Sequence, residues 1–206
     1  MKNITNWYIL LGEWAFKLFY LNLLWLMFSL LGLGLLGVFP ATVSVYTLLR
    51  NVMVKSNKNK KLFKTFWMTY KKEFVKSNVL GYTFIVFGSI LYIDLKILQQ
   101  LNASVLNQSI MVFISILIML IIVIFIYLFP IYVHYNMRLI DYIKHSFILA
   151  IGRPLNTIII LLGLSIILLV YMKVPGLIPA FGIILPSTLI MKIASNSFVD
   201  TDLVSE

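Results

Sequence analysis

An all-α membrane protein of about five transmembrane helices is predicted by three features of this 206-residue chain. It is 61% hydrophobic, only 12% of it is charged, and its uncharged stretches are long enough to cross a bilayer. Soluble domains carry about a quarter charged residues. The mean hydropathy of +0.99 agrees. Cysteine is absent, which excludes disulfide frameworks, cysteine metal sites and thiol catalysis. No cleavable signal is expected, because Glu13 and Lys17 interrupt the first apolar run and no small-residue cleavage site follows it.

Uncharged windows run from Leu18 to Leu49, Ser77 to Ile93, Ile97 to Met137, Pro154 to Met172 and Val174 to Met191. A hydrocarbon core of about 30 Å takes about 20 helical residues, fewer where the flanks snorkel. Spans are therefore expected at about 18–39, 77–93, 109–130, 154–172 and 174–191, within a single transmembrane domain covering 18–191. Residues 1–17 are expected to form an outer interfacial helix: Asn3, Asn6, Glu13 and Lys17 make a polar stripe, and Trp7 and Trp14 are belt anchors.

Basic residues set the orientation. Arg50 to Lys76 carries nine Lys and Arg, Arg138 to Arg153 carries three and Lys192 adds one, against four on the other side. The positive-inside rule makes the richer side cytoplasmic, so the amino terminus is expected outside and the carboxyl terminus inside. Segments 50–76 and 138–153 are then cytoplasmic, and 192–206 is a cytoplasmic tail. The bias toward Ile, Lys and Asn is that of an AT-rich bacterial genome, so the expected location is the bacterial cytoplasmic membrane. The formal charge of +10 is a topology signal that also attracts anionic headgroups. No nucleic-acid partner is expected, because the basic loop sits at a membrane surface.

Three inward-running spans end alike: "GVFPATVSVYTLLR" at Pro40, "YLFPIYVHYNMRL" at Pro130 and "IILPSTLIMK" at Pro186. The chain reads as two copies of one unit (inward helix, Pro break, cytoplasmic helix, outward helix) followed by a third inward helix. This would be a parallel internal repeat; the alternative is a chance recurrence of prolines near helix ends. A break at Pro40 would also resolve the overlong first window, because Pro removes a backbone hydrogen bond and bends the helix. Thr42, Ser44 and Thr47 would satisfy freed carbonyls. In a rival reading 40–54 makes an extra crossing and the amino terminus moves inside.

In "KLFKTFWMTYKKEFVKSN", Phe63, Phe66, Trp67, Tyr70 and Phe74 share one helical face opposite Lys60, Lys64, Lys71 and Lys72. That pattern predicts an interfacial helix whose aromatic face docks on lipid or on a soluble partner. In the second basic segment, Asp141 precedes His145 by one turn, so the two are expected to pair.

No ionisable side chain falls within the trimmed spans, whereas enzymes, pumps and channels usually place such groups at depth. Asn22, Ser29, Thr83, Ser89, Ser115 and Ser165 are expected to join helices by hydrogen bonds. No metal motif or nucleophile-base-acid set is legible, so no catalytic, cofactor-binding or metal-binding residue is assigned. The "GLGLLG" run at Gly32, Gly34 and Gly37 has dinucleotide spacing. It follows an apolar run and lacks an acidic residue about twenty positions on, so no cofactor is expected; the glycines are read as sites of close helix approach or loosening before Pro40.

The runs "FKLFYLNLLWLMFSLLGLGLLGVFPATVSVYTLLR", "FKTFWMTYKKEFVKSNVLGY" and "LYIDL" resemble the YesL-like family of small bacterial multi-pass proteins. The resemblance is most specific at Asn22 to Trp25 and Phe39 to Thr42, and looser beyond residue 96. It implies association with carbohydrate-uptake genes, often beside ABC importer components, and carries no catalytic or ligand residue. Two functions are expected from these readings. The first is a non-catalytic membrane accessory of an ABC-type sugar importer, contacting its permease or ATPase subunits as well as the lipid bilayer. The alternative is a small secondary transporter or channel-like protein with its site at broken helices around Gly32 to Pro40 and Pro175 to Pro186. A lipid-modifying enzyme is weaker for want of an acid, a base or a metal site.

Overall fold

The computed structural model describes residues 2–54, 61–101 and 104–198, with side chains of the first stretch described from 12 to 52. Eight helices follow one another among the described residues: α1 Lys2–Leu31, α2 Leu35–Val54, α3 Leu62–Leu98, α4 Val105–His134, α5 Leu139–Gly152, α6 Pro154–Lys173, α7 Leu177–Phe181 and α8 Ile184–Phe198. Five are long and apolar enough to cross a membrane, within Gly12–Leu31, Leu35–Val52, Leu62–Leu98, Val105–His134 and Pro154–Lys173. The chain is an all-α multi-pass membrane protein.

Several sequence boundaries shift. Residue 17 is no boundary: α1 is continuous from Lys2, because nothing near Lys17 breaks a helix, and Lys17 and Glu13 bridge one turn at 3.8 Å. The interfacial segment and second span also merge into the 37 residues of α3, about 55 Å of helix. The span expected at 174–191 is not one helix. Pro175 precedes α7, and a turn at Gly182 and Ile183 separates α7 from α8. The linker 55–60, with Lys60, and the tail after Phe198 lie outside the described residues.

The three predicted proline breaks are corrected as well. Pro40 and Pro130 sit inside α2 and α4, and Pro186 lies in the first turn of α8, where a missing N–H costs little. The chain turns instead at Gly32 to Gly34 and at Tyr135 to Arg138. The first turn has a geometric cause: Leu33 and Gly34 take left-handed φ values of 59° and 75°, which end a right-handed helix. The element order of α1 to α3 recurs in α4 to α6. The proline register does not, since the turn precedes Pro40 but follows Pro130.

At the first turn α1 folds back onto α2. A Cβ on Gly37 would collide with the Phe28 and Ser29 backbone, and one on Gly32 would lie 2.6 Å from the Tyr70 hydroxyl. Trp25 Nε1 then donates to Thr42 Oγ1 at 3.0 Å. Every residue from Phe39 to Tyr46 is buried, so the middle of α2 is enclosed on all sides, as a helix segment apolar all round must be. Helix α2 packs on α1, α3, α4 and α8. Leu36 and Phe39 meet Asn78, Gly81 and Tyr82 of α3, while Phe39, Tyr46 and Arg50 meet α4 between Phe125 and Val133.

Beyond this core, α3 buries nothing after Gly81, and α4 buries only Ile114 before Val123. The two continue as an arm of mainly exposed apolar side chains, an arrangement suited to lipid.

Candidate functional site

The prolines leave carbonyls without their helical N–H donors, and side chains from other helices serve two of them. Pro40 cannot bond to Leu36, so Asn78 Nδ2 donates to the Leu36 carbonyl at 3.0 Å and to the Phe74 carbonyl at 2.8 Å. Pro186 likewise cannot serve Gly182. The Tyr171 hydroxyl of α6 reaches the carbonyls of Phe181 (2.8 Å) and Gly182 (3.1 Å). Thr42, Ser44 and Thr47 bond back to Val38, Pro40 and Val43 within their own helix at 2.7–2.8 Å, so the hydroxyls do not serve the carbonyl that Pro40 frees.

Asn22 fulfils its expected role in joining helices. Its Nδ2 donates to the Pro179 carbonyl at 2.8 Å and its Oδ1 accepts from the Ile183 N–H at 3.0 Å, holding α1 against the break between α7 and α8. Beside this break lies a cavity of about 650 Å³, lined by Trp25, Leu26, Leu168, Tyr171, Met172 and Ile178 among others. Its walls are mainly apolar. The polar ends of Asn22, Trp25 and Tyr171 are committed to the hydrogen bonds above, so they join neighbouring segments rather than reach for a ligand. Thr83, Ser115 and Ser165 are also spent locally, each donating to the carbonyl four residues back at 2.7–2.9 Å.

The aromatic face of Phe63 to Phe74 is largely an internal surface, which corrects its reading as a five-residue docking face. The Phe28 ring lies 5.9, 4.9, 5.3 and 5.2 Å from the rings of Phe63, Phe66, Trp67 and Tyr70. Phe66 and Tyr70 are buried, and Tyr70 donates to the Phe28 carbonyl at 3.1 Å. Phe74 packs on Tyr70 at 5.6 Å and is half-buried. Only Phe63 and Trp67 remain substantially exposed, at 48% and 36%. The heptad-like spacing could not distinguish lipid from α1 as the covering surface, because both accept the same apolar face.

A polar cluster closes the basic end. Tyr132 donates to Glu73 at 2.5 Å, Lys72 lies 3.6 Å from the same carboxylate, and Arg50 donates to the Val133 carbonyl at 2.6 Å. The Tyr132 ring packs on Tyr142 at 4.8 Å. His145 bonds the backbone carbonyl of Asp141 at 2.8 Å instead of the expected carboxylate, since in a helix the carbonyl four residues back is already within reach. Among the described residues, no group of three or more His, Cys, Asp or Glu is arranged to hold a metal.

A second groove, of about 620 Å³, opens between Phe84 to Ile93 of α3 and Ile121 to Ile126 of α4. Phe84, Tyr92, Ile121 and Phe125 form its walls, and Gly88 and Ser89 lie along it. A Cβ on Gly88 would meet nothing within 4 Å, so space is left for another surface to approach.

The family model described as "Protein of unknown function, DUF624" matches residues 18–95, from within α1 almost to the end of α3. Three proteins of Bacillus subtilis (strain 168) are similar over most of their length. "Uncharacterized protein YteU" is 34% identical over 183 residues, covering 88% of this chain and 80% of that protein. "Uncharacterized protein YesL" is 32% identical over 190 residues (92% and 88%), and "Uncharacterized protein YesV" 34% identical over 192 (92% and 90%). No solved structure matches. With relatives aligned across nearly the whole chain and the family model seated on α1 to α3, this chain belongs to the YesL-like family of multi-pass membrane proteins.

Proposed function

We propose that the chain is a non-catalytic integral membrane accessory protein of carbohydrate uptake, acting beside an ABC-type sugar importer in the bacterial cytoplasmic membrane. The observation that carries it is the α3–α4 groove: an apolar slot with Gly88 and Ser89 along it, which suits the close approach of a partner's transmembrane helix. The occupant proposed is a helix of the importer's permease. The resemblance to the YesL-like family supplies the link to sugar uptake. The commitment of Asn22, Asn78 and Tyr171 to backbone carbonyls also supports a structural rather than a catalytic chain.

In this reading the amino terminus lies outside and the carboxyl terminus is cytoplasmic. Helices α1, α3, α4, α6 and the α7–α8 pair make five crossings. Helix α2, although apolar enough to span, is taken to stay at the basic end, a reading supported by the hydrogen bond of Arg50 to Val133 and the packing of Tyr46 on Phe129 near the inner end of α4. Affinity capture of the native protein from sugar-grown cells tests the accessory role. Importer subunits are expected in the captured material; their consistent absence would count against the proposal.

The cavity beside Asn22 favours a second reading, a small secondary transporter whose site lies where α7 and α8 separate. Purified protein in liposomes should then move a sugar or an ion across the bilayer. Transport indistinguishable from empty liposomes would eliminate it.

A further inference from the structure

The turn between α1 and α2 presents an apolar tip at the basic end of the molecule. Leu31, Leu33 and Leu35 are 65%, 86% and 77% exposed. The tip stands beside the start of α3, because Phe28 packs on Phe63 and Trp67 and Gly32 abuts Tyr70. Two lysines flank this surface instead of standing opposite it as expected: Lys71 Nζ sits 4.2 Å above the Trp67 ring, and Lys64, exposed, lies two turns earlier on the same flank of α3. Leu33 is the only described non-glycine residue with positive φ. Glycine or asparagine relieves such a position, yet here it carries a leucine that touches almost nothing within the protein.

We propose that this tip, together with Phe63 and Trp67, is a docking ledge for anionic phospholipid, its leucines in the acyl region and Lys64 and Lys71 at the headgroups. Charge selects the occupant. Apolar side chains alone accept any lipid, whereas the lysines on the same surface attract negative headgroups. The aromatic rings mark the boundary between the two layers, where tryptophan is favoured. The inference is independent of the importer reading, since it concerns the bilayer.

The test is quenching of Trp67 in full-length protein in nanodiscs, taken as the difference between wild type and Trp67→Phe, with brominated phosphatidylglycerol or brominated phosphatidylcholine at equal mole fraction. Phosphatidylglycerol should quench at least about twofold more strongly, since each lysine near an anionic surface adds attraction. The Lys64→Gln/Lys71→Gln variant, which alters only exposed side chains, should bring the ratio to about one. Leu33→Asn, which suits the left-handed backbone, should fold and show weaker quenching by both lipids. Equal quenching by the two lipids in the wild type overturns the proposal. So does quenching by neither, which would leave the ledge to a protein partner or to water.

Discussion

Asn78 donates a hydrogen bond to the carbonyl of Leu36, the one carbonyl that Pro40 leaves unserved inside α2. This pair ties the start of the α3 membrane segment to the enclosed helix. Replacing Asn78 by Ala should cost about 1–3 kcal/mol, the penalty of an unsatisfied buried acceptor. Restoring the backbone donor with Pro40→Ala should remove part of that cost, so the double variant is expected to be more stable than the sum of the single effects. Unfolding in mixed micelles measures the cycle, and strict additivity would dissociate the two residues.

Phe28 touches four aromatic rings of α3 and is 2% exposed. Phe28→Ala should therefore destabilise the protein by about 3–5 kcal/mol through lost packing and a residual cavity. Phe63→Ala, which removes a half-exposed ring, should cost less than a third of that. Comparable losses from both in the same unfolding measurement would show that α3 is not held through Phe28.

Gly37 has backbone where a side chain would go, whereas Gly12 has open space. Gly37→Ala should lower the thermal midpoint through a forced separation of α1 and α2, an overpacking cost of about 1–3 kcal/mol or more. Gly12→Ala should leave it unchanged or slightly raised, because Ala is the better helix former. Equal midpoints for the two variants would mean that the hairpin does not depend on close approach at Gly37.

Tyr132 and Glu73 join α4 to α3. Tyr132→Phe keeps the ring against Tyr142 but removes the donor, and should cost about 1–3 kcal/mol at neutral pH. Combining it with Glu73→Leu, which removes the abandoned acceptor, should recover stability relative to Tyr132→Phe alone. A Tyr132→Phe protein as stable as wild type would show that the carboxylate does not need this partner.

The membrane class and the approximate position of α3, α4 and α6 were legible because uncharged length alone separates a span from a loop. Asn22 was legible as a helix-joining residue, since a buried amide in an apolar span needs a partner. The turns were not. A proline draws attention as a breaker, yet Pro40 and Pro130 are tolerated inside helices, and for Pro40 the lost bond is replaced by Asn78 from another helix. The actual first turn is set by the left-handed pair Leu33 and Gly34, of which only the glycine carries a local signal. A search for an amide or hydroxyl able to serve the carbonyl four residues before each proline would have drawn attention to Asn78 and Tyr171. The spacing of Phe63 to Phe74 gave the right helical face, but its cover, Phe28, lies more than thirty residues away.

The most direct test of the accessory role places a photo-crosslinking amino acid at Ser89 in the α3–α4 groove and another at Leu162, an exposed position on α6 away from it. In native membranes of sugar-grown cells, Ser89 should form a covalent adduct with an importer permease subunit while Leu162 does not. Adducts with lipid alone at Ser89, or the same proteins captured at both positions, would contradict the account.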